Sequence, residues 1–221
     1  MKAENNFIML GKWQKLPVVS VASMGVYLGS EEQKVLLPGK QVPFGTKLGD
    51  EMEVFIYKDS SDRPIATVHS PKIVIGEIVP LQVKQITKIG AFLDWGLEKD
   101  LFLPFGQQTE TLKEGMFYPV ALYIDKSERL AASMWIEKYL KGNTAEDKKK
   151  KLSLIRLQTD AENVYVIIDK KGGVLDYDDK ADPERIQKDF GLSKNAFKRA
   201  VGVLYKARRL LIKEGSIELI S

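Results

Sequence analysis

"GAFLDWGLEKDLFLP", Gly90 to Pro104, decides the fold because the chain carries it in two versions. "GVYLGSEEQKVLLP", Gly25 to Pro38, superposes on it at an offset of 65 residues, which becomes 66 at Pro38 and Pro104. Downstream, "LGDEMEVFIYKDSSDRPIAT" from Leu48 aligns with "LKEGMFYPVALYIDKSERLAAS" from Leu112 after a two-residue slip near Asp50 and Gly115. The alignment pairs Val54 with Val120, Tyr57 with Tyr123, and Ile65-Ala66 with Leu130-Ala131. In the first copy, Pro17–Val21, Gly25–Leu28, Lys34–Leu37, Met52–Tyr57 and Arg63–Val68 read as short strands broken by turn residues. Five strands in so few residues predict a closed barrel, since closure is how a small β unit hides its edges. Residues 1–70 and 71–140 are therefore expected to be two tandem barrels, each with a polar hairpin, "DSSDR" or "DKSER", before its last strand.

The composition narrows what such a chain can do. There is no cysteine, which excludes disulfides, thiol nucleophiles and Cys-ligated zinc, and the single His69 reads as a surface residue. No phosphate-cradling glycine loop or nucleophile elbow occurs, so no catalytic residue, metal ligand or cofactor site is assigned and a non-enzyme is expected. No run of 18 apolar residues occurs, and "MKAENNFIML" lacks the features of a signal peptide, so a cytoplasmic protein without membrane contact is expected.

Charge is distributed unevenly. Residues 1–140 hold 16 basic and 17 acidic side chains, so the net +4 comes from the C-terminal part. Ser193 to Lys213 alone carries seven basic residues, Lys194, Lys198, Arg199, Lys206, Arg208, Arg209 and Lys213, and no acid. A helix that is merely solvated usually mixes signs, because Glu–Lys pairs add stability, so this field points to phosphate contact.

The surrounding pattern gives that basic segment a setting. Residues 141–159, with the run Lys148 to Lys151, read as a flexible basic linker. Ala161 to Lys171 reads as a first helix ended by Gly172-Gly173, followed by a short strand and turn in "VLDYDDKAD". Asp182 caps a second helix that starts at Pro183 and stops at Gly191. Ser193 caps a third, whose Phe197, Ala200, Val201 and Leu204 form an apolar stripe. Lys194, Lys198 and Lys206 fall on another row, through Gly202, and Glu214-Gly215 turns a final hairpin. This order is that of a winged helix-turn-helix over 160–221. The predicted fold is mainly β plus α/β: two tandem five-stranded OB-like barrels and a C-terminal winged helix-turn-helix.

These residues carry a resemblance. "VKQITKIGAFLDWGLEKDLFLPF", Val83 to Phe105, resembles the S-one-type RNA-binding OB barrel, named for the large protein of the small ribosomal subunit. The tandem copies, with "VALYIDKSERLAASMWIEKYL" and the later D-P-E-x-I…F-G-L-S-K-x-A-F-K-R-A run, resemble the bacterial conserved virulence factor B family. That family carries a third barrel for which the 20 residues after Leu140 leave no room.

The resemblance implies base stacking on aromatics of the second barrel strand, matched here by Phe92 and Tyr27, with basic side chains such as Lys88 beside it. Ile89 and Met24 stand where a further aromatic is usual, and Leu103 and Leu37 where a histidine is usual, so both barrels read as degenerate binders. RNA is the expected partner and regulation at the RNA level the expected role. A DNA-binding transcription regulator and a protein-interaction scaffold remain alternatives, and the oligomeric state is open.

Overall fold

A computed structural model describes residues 8–142 and 144–220. The first seven residues of the expected 1–70 unit and Asn143 of the expected linker thus lie outside it. The first repeat folds into β1 (Trp13–Ala22), β2 (Gly25–Gly29), β3 (Lys34–Pro38), β4 (Glu51–Lys58) and β5 (Pro64–Thr67). They close as β1-β2-β3-β5-β4 through a parallel Leu36–Ile65 contact. The second repeat gives β6 (Ile78–Thr87), β7 (Gly90–Asp94), β8 (Leu101–Pro104), β9 (Phe117–Ile124) and β10 (Leu130–Ser133), in the order β10-β9-β6-β7-β8, with β10 packed near β8.

β1 starts four residues before the predicted strand because it must pair twice, with β4 through Trp13–Phe55 and with β2 through Val18–Leu28. A register shift between Val18 and Ser20 accompanies the change of partner. It recurs between Val83 and Gln85 in β6, so both copies bend their first strand with the same bulge. Inward residues alternate strictly: Val26 and Leu28, then Val35 and Leu37, fill the first barrel, and Ala91 and Leu93, then Leu101 and Leu103, fill the second.

The barrels are not beads on a string. Trp95 of the second lies 6.0 Å from Phe55 and 6.1 Å from Tyr57 of the first, both edge-on, and all three are buried in one continuous core. Lys99 adds two hydrogen bonds across the joint, from Nζ to the Asp59 carbonyl (2.9 Å) and to Asp62 Oδ1 (3.2 Å).

The expected linker is corrected by the structure. Residues Ala145–Lys170 form one helix, α1, continuous with the predicted first helix of the winged unit. Thr144 accepts from the Asp147 backbone N–H while the Asp147 carboxylate accepts from the Thr144 N–H, a reciprocal cap that starts the helix. Glu146 and Asp147 place negative charge in the first turn, which suits the helix dipole and offsets the run Lys148 to Lys151, of which only Lys148 and Lys151 share a face. Ile155 and Thr159 are buried, one turn apart, and α1 packs on β6 and β9 of the second barrel. A clamp fixes that contact: the Asn163 amide accepts from the Phe117 N–H (2.7 Å) and donates to the Phe117 carbonyl (3.0 Å).

The other end of α1 belongs to the winged unit, where Ala161, Val164 and Ile168 join Leu175, Ile186, Phe197, Val201, Leu204, Leu210 and Ile217 in one core. Its remaining elements are β11 (Val174–Leu175), α2 (Pro183–Phe190), α3 (Lys194–Lys206), β12 (Leu210–Lys213) and β13 (Ser216–Leu219), with sheet order β11-β13-β12. The predicted caps at Asp182 and Ser193 are present. Among the described residues no helix is long and apolar enough to cross a membrane.

Candidate nucleic-acid interface

Strand alternation turns Phe92 outward between the buried Ala91 and Leu93, and opposite it on β8 stands Phe102. Their rings are 5.4 Å apart and inclined at 41°, both half-buried. Gly90 permits this approach: at φ 149° a Cβ there would come within 2.5 Å of the Leu103 carbonyl and 2.8 Å of the Phe102 ring. In the first barrel Tyr27 faces Leu36 instead, and Lys34 Nζ sits 5.3 Å from the Tyr27 ring centroid. Lys88 is exposed in the β6–β7 turn, beside the 64% exposed Ile89.

One assignment shifts by a residue. Leu103 and Leu37, the positions at which the resemblance placed a histidine, are fully buried and cannot meet a ligand. The outward neighbours are Phe102 and Leu36, since a step of one along a strand exchanges the two faces. Phe102 was therefore missed, although the alternation in "LFLP" carries it.

Phe92 and Phe102 line a cleft of about 240 Å³ shared with Tyr57, Asp62 and Lys99. Of the three cations lining it, Lys99 is held by the Asp59 carbonyl and Asp62 and Arg129 by Asp125 at 3.5 Å, while among the described residues Lys58 has no ion-pair partner within 4 Å. The barrel face thus offers rings but few free charges.

The basic residues of the winged unit separate into two groups. Lys194 Nζ donates to the Lys180 carbonyl (2.9 Å), Lys198 pairs with Asp179 (3.3 Å), and Lys213 pairs with Glu218. Arg209 makes a two-pronged contact with Glu162 of α1 and lies 4.2 Å over the Tyr165 ring, so it joins β12 to α1. Among the described residues Arg199, Lys206 and Arg208 have no ion-pair partner within 4 Å, and all three are exposed. Arg199 and Lys206 lie seven residues apart, two turns along α3, on the side away from Phe197 and Leu204. Arg208 follows the helix end at φ 55°, the left-handed region in which glycine is the usual terminator.

Arg199 also approaches α1. Burial pushes the Asp160 carboxyl above the ordinary aspartate value, against the opposing pull of Arg199 and Arg156. Two arginines from different helices therefore act electrostatically on one carboxylate.

A model of the S1 domain matches residues 10–69 and 75–135, together more than half of the chain, and a model of the CvfB-like winged helix domain matches residues 162–219. Conserved virulence factor B of Staphylococcus saprophyticus is 23% identical over 241 residues, spanning 78% of this chain and 81% of that protein. Uncharacterized protein YitL of Bacillus subtilis is 26% identical over 273 residues, spanning 93% and 92%. Both alignments are longer than the 221-residue chain, so these relatives carry residues without counterpart here, as a missing barrel would leave them. A crystal structure of a multidomain protein with nucleic acid binding domains from Streptococcus pneumoniae shares the fold, with a TM-score of 0.50, 18% identity and coverage of 96% of this chain and 98% of that one. Both domain types are of the nucleic-acid-binding kind and neither is an enzyme family. The chain belongs to the S1-domain family, with two S1 barrels joined to a winged helix of the CvfB-like type.

Proposed function

We propose that the chain is a non-catalytic RNA-binding protein that regulates gene expression at the RNA level, with the winged unit as its main phosphate contact. The observation that carries this reading is the set Arg199, Lys206 and Arg208, exposed and, among the described residues, without an ion-pair partner within 4 Å, on one helix and its end. Arg208 strengthens it, because a non-glycine residue in the left-handed region costs of order 1 kcal/mol or more and persists where its side chain is needed. Lys194, Lys198, Arg209 and Lys213 are secondary, since each is already engaged. Lys198 is itself exposed in its pair with the half-buried Asp179, so its ammonium can reach a phosphate. RNA is favoured over duplex DNA by the Phe92–Phe102 rings, a stacking surface that only unpaired bases can use.

The test compares single-stranded RNA with duplex DNA of equal charge, across a salt series, for the full chain and for Arg199→Ala with Lys206→Ala. Tighter binding of RNA is expected, weakened about tenfold, ~1.4 kcal/mol, by the double change. The slope of log affinity against log salt should fall by about 0.7 per lost phosphate contact. Arg208→Gly should bind less tightly yet be no less stable to urea. Preference for the duplex would favour the transcription-regulator reading instead.

A further inference from the structure

A second cleft, of about 540 Å³, lies between the second barrel and α1, away from the Phe92–Phe102 rings. Its barrel wall presents Phe117, Pro119 and Trp135, and its helix wall Leu152, Arg156 and Asp160. Trp135 is 45% exposed although it is the largest apolar side chain available to bury. Its ring is nevertheless held: Nε1 donates to the Gly106 carbonyl (3.2 Å), the backbone N–H donates to Ser133 Oγ (3.2 Å), and Lys138 Nζ sits 5.3 Å from the ring centroid. An indole fixed in place and left open is a stacking surface that loses little entropy on binding.

Charge within the cleft is mixed on both walls. Glu110, Glu137 and Lys138 line it beside Trp135, and Arg156 and Asp160 lie on the helix wall. Carboxylates near the indole accept from base amino groups and ribose hydroxyls but repel phosphates; arginines do the reverse. Lys149 precedes Arg156 by two helical turns and shares its face, extending the positive edge, and among the described residues Lys148 to Lys151 have no ion-pair partner.

We propose that this cleft is a nucleotide subsite for single-stranded RNA, in which one base stacks on Trp135 and an adjoining phosphate meets Arg156. The assignment rests on the RNA-binding reading and deepens it, because it places one nucleotide of the bound strand. It also gives α1 a task beyond joining two units: it forms one wall of the site. The Asp160 carboxylate on the helix wall repels phosphate and opposes its approach.

The probe is a single-stranded oligoadenylate, titrated into the full chain while tryptophan emission is followed. Of the three tryptophans Trp95 is 3% exposed but Trp13, on β1 of the first barrel, is 37% exposed, so every protein in the titration carries Trp13→Phe and stacking at the cleft reports through Trp135. Quenching is expected in the parent chain and its loss in Trp135→Phe, which should retain most affinity because phenylalanine still stacks. Trp135→Ala should weaken binding about tenfold, the loss typical of one stacked base. Arg156→Ala should lower the salt slope by about 0.7, and Asp160→Asn should tighten binding by removing a carboxylate that repels phosphate. Full quenching in Trp135→Phe, or unchanged affinity in both Trp135→Ala and Arg156→Ala while Arg199→Ala with Lys206→Ala has lost binding, overturns the subsite and leaves RNA binding by the winged unit standing. A parent chain that ignores the oligoadenylate and binds duplex DNA overturns the RNA reading, and the subsite with it.

Discussion

Leu103 and Phe102 are adjacent on β8 yet face opposite environments, and that difference sets what each can do. Leu103 is fully buried inside the second barrel, whereas Phe102 meets Phe92 at the surface. Truncating Leu103 to alanine leaves a cavity and should cost about 2–5 kcal/mol. Phe102→Ala should cost well under half of that while reducing crosslinking of RNA to the barrel. Urea melts of the two variants check the stability order, and an equal loss in both would mean that Phe102 is a core residue. At the same scale, the aromatic at position 92 and the positive charges of the third helix were legible in the sequence. Which charges are free was not, because the partners of Lys198 and Arg209 lie 19 and 47 residues away, at Asp179 and Glu162.

α1 is the element whose reading changed most. A run of four lysines between polar residues has the composition of a linker, and composition describes a chain without its neighbours. The helix exists because Thr144 and Asp147 cap it, its middle buries Ile155 and Thr159, and Asn163 bonds both backbone groups of Phe117. Asn163→Ala orphans those groups, and each unsatisfied group costs about 1–3 kcal/mol when buried. Trypsin should therefore cut slowly after Arg156 in the parent chain and markedly faster in Asn163→Ala, read by mass spectrometry of early fragments. Equal cutting would mean that the clamp does not hold α1 to the barrel. The cap was legible as T-x-x-D before a run of helix formers, but a polar segment gave no sign of the surface on which it would lie.

For the molecule as a whole, division of labour follows from charge and from the joints. Trp95 seated against Phe55 and Tyr57 makes the two barrels one body, and α1 ties that body to the winged unit. Residues 1–140 carry no net positive charge, and around their exposed rings Lys99 and Arg129 are occupied by acids. With few phosphates neutralised, little counterion release is available. A 1–140 fragment should bind single-stranded RNA at least about tenfold more weakly than the full chain at physiological salt, with a shallower salt slope. Fluorescence anisotropy of both proteins with one labelled RNA checks this, and equal affinity would place the main site on the barrels.

The sequence by itself determined the architecture: two barrels from a repeat, and a winged unit from caps, an apolar stripe and a hairpin turn. These are signals of short range, set by the period of strands and helices and by the backbone needs of Gly90, Asp182 and Ser193. Only the tertiary structure decided that Phe102 rather than Leu103 faces outward, that the lysine-rich segment is a helix docked on the second barrel, and that Arg209 is spent on Glu162 while Arg199 is not. Trp135 and Arg156 passed unnoticed for the same reason, since they are 21 residues apart and become walls of one cleft only when α1 lies down on the second barrel. Register, docking and the pairing of charges depend on groups distant along the chain, and folding alone brings those groups together.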